Sequence, residues 1–155
     1  MSLCCNVLKA LSGKTLATAE SCTGGMIGQM LTGVPGASAV YKGGVISYWS
    51  AVKANVLAVS EADLAQYGPV SEPVAKQMAL GVRKLLDADV AVSVTGLAGP
   101  DGDEFGRPVG TVFVGYCDDN VSTVKEFHFS GDREEVRNQA AEDTLMLILE
   151  YHSSK

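Results

Sequence analysis

The chain has no apolar run approaching the ~20 residues that a membrane helix needs, which argues against a spanning protein. Its first residues, Met1-Ser2-Leu3-Cys4-Cys5, lack the basic and long apolar regions of a secretory signal, so the expected compartment is cytoplasmic. Basic residues are outnumbered, 12 Lys and Arg against 18 Asp and Glu for a net charge of −6. They form no stripe, which argues against a nucleic-acid partner. The four cysteines, at 4, 5, 22 and 117, contain no C-x-x-C pair. With only His128 and His152 beside them, the spacings fit no structural zinc site. Free thiols in a reducing compartment and no metal are the expectation.

What is present reads as one folded domain over residues 1–155. At 46% hydrophobic and 19% charged, the chain can bury a core and is not disordered. Val7 to Leu11 suggests a short leading helix. Leu16 to Ala19 reads as a first strand and Gly24 to Leu31 as a helix, broken by Gly33-Val34-Pro35-Gly36. Val40 to Tyr48 reads as a second strand, with a bulge or close approach at Gly43-Gly44. Ser50 is placed to cap a helix over 51–57, and Ser60 with Asp63 a second. A stronger helix starts after Ser71, with Val74, Met78, Val82 and Leu85 on one face.

The continuous apolar run Val90 to Val94 predicts a buried strand. Thr111 to Tyr116 and Val124 to Phe129, joined by a short link, predict an antiparallel hairpin. Asp132 with Glu135 opens a long last helix in a capping-box pattern, with Val136, Ala140, Thr144, Leu147, Ile148 and Tyr151 on one face. Helices alternate with the early strands, so those strands are expected to be parallel. The fold class is α/β: a three-layer α/β/α sandwich with a mixed, mostly parallel sheet of about five strands. Ligands in such sheets bind outside the strand carboxyl ends. Ser21, Tyr48 and Thr95 each follow a predicted strand and should meet at that edge.

The segment Ala19-Glu20-Ser21-Cys22-Thr23-Gly24-Gly25 collects hydroxyls, a thiol and two glycines at a strand-to-helix turn. Unpaired N–H groups at such a turn can stabilise an oxyanion, with Ser21 presented as a nucleophile. Cys22 is a rival nucleophile, since a helix start lowers a thiol pKa. Ser50-Ala51-Val52-Lys53 fits S-x-x-K, without the S-D-N and K-T-G motifs that accompany it in penicillin-binding enzymes. Lys53 falls in a predicted first helical turn, where the dipole disfavours a cation, so a partly buried Lys53 can act as a base. Gly13-Lys14-Thr15 is no P-loop, because position 8 is Leu8 rather than glycine. Thr95-Gly96-Leu97-Ala98-Gly99-Pro100 allows close ligand approach. Arg133 and Arg137, one turn apart, can clamp a phosphate or a carboxylate.

Together these segments resemble the CinA C-terminal domain family. The matching stretches are Thr18 to Gly25, Gly43 to Tyr48 with Lys53 five residues on, Thr95 to Pro100, Pro108 to Val112, and Gly131-Asp132-Arg133 with Arg137. The resemblance covers nearly the whole chain after about residue 7 and looks like the stand-alone form. It implies the three-layer fold, a homodimer and no cofactor. It also implies hydrolysis of the carboxamide of nicotinamide mononucleotide to nicotinate mononucleotide and ammonia, in pyridine-nucleotide salvage. The catalytic group it implies is Ser21 as nucleophile with Lys53 and Tyr48. Cys22, Thr23, Gly24 and Gly25 would form the oxyanion turn. Thr95, Gly96 and Arg133 or Arg137 would hold ribose and phosphate. Phe105 and Trp49 are bulky departures from the family pattern. The alternatives are a non-catalytic nucleotide-binding module of the same fold and a cysteine amidase using Cys22.

Overall fold

The computed structural model describes residues 2–152. The elements, in chain order, are α1 (Leu3–Ala10), β1 (Leu16–Glu20), α2 (Met26–Thr32), β2 (Tyr41–Ile46), α3 (Ser50–Leu57), α4 (Glu61–Tyr67), α5 (Glu72–Leu86), β3 (Val90–Gly96), β4 (Thr111–Cys117), β5 (Ser122–His128) and α6 (Arg133–His152). A 3₁₀ turn, Ala37–Ala39, precedes β2.

The sheet order is β2-β1-β3-β4-β5. β1 pairs in parallel with both β2 and β3, and the β3–β4 and β4–β5 pairs are antiparallel. Four strands therefore share one direction and β4 alone opposes them, which gives the mixed sheet expected of the sequence.

Period-two alternation sorts the strand side chains onto two cores. Leu16, Val90, Val92, Val94, Val112 and Val114 join α1, α2 and α6 on one face. Ala17, Ala19 and Ala91 meet α3 and α5 on the other through Leu57, Val74, Met78 and Val82. Apolar faces on both sides of the sheet require a cover on both sides, and the helices supply it.

Several local signals act as expected. Ser60 Oγ accepts from Asp63 N–H at 3.2 Å. At α6 the Glu135 N–H donates to Asp132 Oδ1 at 2.9 Å, and the Asp132 N–H to Glu135 Oε1 at 3.1 Å. This is the reciprocal capping box.

Four details differ. The bulge in β2 falls at Lys42, since Leu16 pairs with Tyr41 but Ala17 with Gly43. Lys42 turns outward to donate to the Leu86 and Asp87 carbonyls at the end of α5, which repays its lost pairing. Gly44 is needed for close approach, because a Cβ there would lie 2.3 Å from Thr18 Oγ1. Ser50 is not a cap: the cap position is Trp49, and it offers no side-chain bond. On α5, Leu85 is 52% exposed. The i, i+4, i+8 ridge from Met78 runs through Val82 to Leu86, which packs on the core instead. Tyr151 stacks on Tyr116 with ring centroids 4.4 Å apart, outside the fully buried face.

Candidate active site

The parallel strands β1, β2 and β3 end at one edge of the sheet, and Ser21 follows β1 directly. Its N–H donates to the Val94 carbonyl at 3.0 Å, prolonging the β1–β3 ladder by one bond. The chain then reverses through Gly24 and Gly25, with φ of +60° and +103°. Those left-handed conformations suit glycine and strain other residues. They set Ser21, 7% exposed, at the head of a tight turn into α2.

Lys53 comes from the first turn of α3 and is 1% exposed. Its Nζ donates to Ser21 Oγ at 2.9 Å, to the Ser47 carbonyl at 2.6 Å and to the Tyr48 carbonyl at 3.2 Å. An ammonium has three hydrogens, and each finds an acceptor here. Burial is the main influence on this group and pushes its pKa down to about 8; the neighbouring Cys22 thiol opposes it weakly. Loss of one proton leaves two hydrogens for the two carbonyls and turns the lone pair toward Ser21 Oγ. The serine hydroxyl and an amine of lowered pKa are therefore in direct contact. Ser50, the serine of the S-x-x-K pattern, lies exposed at the start of α3.

Tyr48 follows β2 and is 56% exposed. Its phenol oxygen accepts from Arg133 Nη2 at 3.2 Å, and the other Arg133 nitrogen donates to the Gly99 carbonyl. Tyr48 thus meets Lys53 through its backbone carbonyl, while its hydroxyl belongs to the arginine. The Tyr48 hydroxyl therefore does not stand between Lys53 and Ser21, which touch directly.

These groups surround a cavity of about 240 Å³. Ser21, Cys22, Tyr48, Lys53, Thr95, Gly96 and Arg133 line it, all named from the sequence. Pro69, Val70, Leu97, Ala98, Gly99 and Asp101 complete the wall. Pro69 and Val70 precede α5 and carry no motif of their own. Thr95 Oγ1 donates to the Pro69 carbonyl at 2.8 Å, so its hydroxyl braces the wall.

Four residues named from the sequence lie off the wall. Thr23 Oγ1 donates to Glu20 Oε1 at 2.6 Å, and Gly25 N–H reaches the same oxygen at 3.2 Å. Gly24 N–H donates to the Ser21 carbonyl at 3.1 Å. Arg137 donates to the Cys22 and Thr23 carbonyls at 2.9 and 3.1 Å, holding the turn from beneath. Cys22 is 7% exposed, and burial pushes its thiol up to about 12. The lowering expected of a helix start is absent because desolvation dominates. Trp49 and Phe105 are not on the wall. Trp49 is 74% exposed, and the Phe105 ring is stacked under the Arg107 guanidinium, 5.5 Å from the ring centre.

Among the described residues no group of three or more His, Cys, Asp or Glu is arranged to hold a metal ion. No helix there is long and apolar enough to cross a membrane.

Comparison with known proteins places this geometry in a family. The sequence profile of the CinA C-terminal domain matches residues 3–152. The nicotinamide-nucleotide amidohydrolase PncC of Enterobacter agglomerans is 51% identical over 144 residues, covering 92% of this chain and 87% of that protein. A CinA-like protein of Thermotoga neapolitana is 48% identical over 128 residues. This chain covers 31% of that relative's length, and 34% of a CinA-like protein of a Sulfurihydrogenibium species. Among solved structures, a CinA superfamily protein of Klebsiella pneumoniae superposes with a TM-score of 0.95 at 35% identity, over 97% of this chain and 96% of that one. One of Escherichia coli gives 0.88 at 33%, over 94% and 90%. The chain belongs to the CinA C-terminal domain family.

Proposed function

We propose that the chain is a nicotinamide-nucleotide amidohydrolase, converting nicotinamide mononucleotide and water to nicotinate mononucleotide and ammonia through a Ser21 acyl-enzyme. The observation that carries this reading is the 2.9 Å contact between Ser21 Oγ and a buried lysine of lowered pKa. A lone serine is a poor nucleophile, and an adjacent neutral amine in a dry site is the kind of base that activates it. The name of the Enterobacter agglomerans relative supplies the substrate class.

Neutral Lys53 takes the Ser21 proton as Oγ attacks the carboxamide carbon. The developing oxyanion needs N–H donors, and Gly24 and Gly25 spend theirs within the turn. Of the four residues of the turn only Cys22 lines the cavity, and its N–H is the donor left to the oxyanion. One such donor is typically worth about 3 kcal/mol in the transition state. The Lys53 ammonium returns the proton to the departing ammonia, and a water activated by the same amine then opens the ester. Because the Tyr48 oxygen accepts from Arg133, its own hydrogen is free for the substrate.

A cavity of this size takes the pyridine and ribose and leaves the phosphate at the open mouth. Arg133 waits there on two neutral acceptors, with Thr95 and Gly96 against the sugar. The enzyme works as a cytoplasmic homodimer in pyridine-nucleotide salvage. The exposed Ile46 and Trp49 beside β2 offer an apolar face to the second copy, and sedimentation velocity reads the assembly directly.

Purified protein is expected to release ammonia from nicotinamide mononucleotide, and Ser21→Ala to lower kcat by about 10⁴-fold with the fold intact. Full turnover in that variant removes the serine. Tight nucleotide binding by the wild type with no ammonia over a long incubation favours a non-catalytic binding module.

A further inference from the structure

Glu20, the residue before the nucleophile, is 3% exposed. Four donors surround its carboxylate, two from the turn that follows and two from the start of α2. Thr23 Oγ1 lies at 2.6 Å, Gly25 N–H at 3.2 Å and Ile27 N–H at 3.0 Å from Oε1, and Gly28 N–H lies at 3.0 Å from Oε2. A carboxylate taken out of water is costly unless it is bonded this fully. The arrangement is also an unusual helix cap. The cap position of α2 is Gly25, which has no side chain, so the strand on the far side of the turn supplies the acceptor. One side chain therefore ties the end of β1 to the start of α2 across the five residues that carry Ser21.

The Glu20 backbone extends the tie. Its carbonyl accepts from Ser47 N–H at 2.8 Å, and the Ser47 carbonyl is the 2.6 Å acceptor of Lys53 Nζ. Nucleophile and base are thus registered through the same residue from two directions.

We propose that Glu20 is a positioning residue for the reaction, and that its carboxylate fixes the Ser21–Gly25 turn so that Ser21 Oγ meets Lys53 and Cys22 stays on the cavity wall. The inference rests on the serine reading above. It assigns Glu20 to the rate of the chemical step rather than to nucleotide binding, since a misplacement of about 1 Å can cost 10²-fold in rate. It also explains why the start of α2 is closed to the substrate phosphate: three of its N–H groups are already taken.

The test uses the full chain and a small alkyl fluorophosphonate, which forms a bond from Ser21 Oγ to phosphorus and releases fluoride without engaging the nucleotide subsites. Glu20→Gln keeps the shape and one carbonyl oxygen, but turns an NH₂ toward Gly28 N–H or toward the other three donors. It is expected to slow Ser21 labelling and kcat by the same factor, about 10-fold, with affinity for nicotinate mononucleotide within 2-fold of wild type. Thr23→Val removes only the 2.6 Å donor and should give the same pattern, about 3-fold. Labelling of both folded variants at the wild-type rate overturns the proposal and leaves the serine reading in place. A loss confined to nucleotide affinity overturns it as well. Failure of the wild type itself to label at Ser21 overturns the serine reading, and this inference with it.

Discussion

The cavity has a buried floor and an exposed mouth, and of two arginines one helical turn apart one lies beneath the floor and the other at the mouth. Arg137 is half-buried and spends its guanidinium on the Cys22 and Thr23 carbonyls. Arg133 is exposed and rests on the Tyr48 hydroxyl and the Gly99 carbonyl. On the floor Ser21 and Lys53, and beneath it Glu20, are each at most 7% exposed, and the polar atoms of each have hydrogen-bond partners. At the mouth Tyr48 is 56% exposed, and the arginine holds neutral partners that an anion can replace. A buried, fully bonded group is set once by the fold and acts on the transition state. An exposed cation on weak partners acts on the approach and seating of the substrate. The same residue type on one helix thus meets two different surroundings, because burial differs.

The largest expected effect lies on the floor. Lys53→Met keeps the length and apolar body of the side chain and removes the base, so kcat should fall by about 10³-fold or more with KM changed far less. The wild type carries a related pH signature. The Lys53 pKa is lowered to about 8, so if the neutral amine is the base, as proposed, kcat/KM should rise about 10-fold per pH unit below 8 and level off above it. At pH 7 roughly a tenth of the enzyme carries the competent amine. A flat profile between pH 6 and 9 would remove Lys53 as the base.

The arginine pair sharpens the comparison at intermediate magnitude. Arg133→Ala should raise KM about 10-fold and leave kcat within about 3-fold, because it removes a contact made equally to bound substrate and transition state. Arg137→Ala should do the reverse, lowering kcat about 10-fold at near-constant KM and lowering Tm. It leaves two carbonyls of the turn without their donor, at a cost of about 1–3 kcal/mol each if they stay buried. Steady-state kinetics on both variants with nicotinamide mononucleotide reads the split. If both raise KM alone, the two arginines form a single clamp and the division of floor from mouth is wrong.

The sequence shows the fold through signals that act locally or by period. These are the capping box at Asp132 and Glu135, the apolar run of β3, and the strand-to-helix turn at Ser21. It shows the meeting of Ser21 with Lys53 less directly. Parallel strands bring their ends to one edge, but helix phase decides which early residue of α3 turns inward: Ser50 and Ala51 are exposed and Lys53 is buried. What it hides are partners far apart in the chain. Arg137 reaches Cys22 across 115 positions, and Arg133 reaches Tyr48 across 85. No spacing rule distinguishes a guanidinium that braces a turn from one that awaits a phosphate. Glu20 is hidden differently: in sequence it is one more charged residue at a strand end, and only burial and four converging donors mark it out. Leu85 shows the limit of helical periodicity, because two adjacent leucines fit the same stripe and the ridge from Met78 selects Leu86.

The smallest expected effect concerns the residue that the sequence makes the closest rival of the nucleophile. Cys22 lines the cavity beside Ser21, and a cysteine amidase would lose essentially all activity on Cys22→Ala. The thiol, however, is buried in the core under α6, and that burial holds its pKa near 12. Hardly any of the thiol is then ionised near neutral pH, and the thiolate is the reactive form. Lys53 reinforces the argument, since its three hydrogens go to Ser21, Ser47 and Tyr48. Cys22→Ala should therefore leave kcat/KM within about 3-fold of wild type, with a stability loss of about 1 kcal/mol for the vacated sulfur. The same purified variant assayed for ammonia release and for thermal unfolding separates the two effects, and abolished turnover in a folded Cys22→Ala would transfer the nucleophile from oxygen to sulfur.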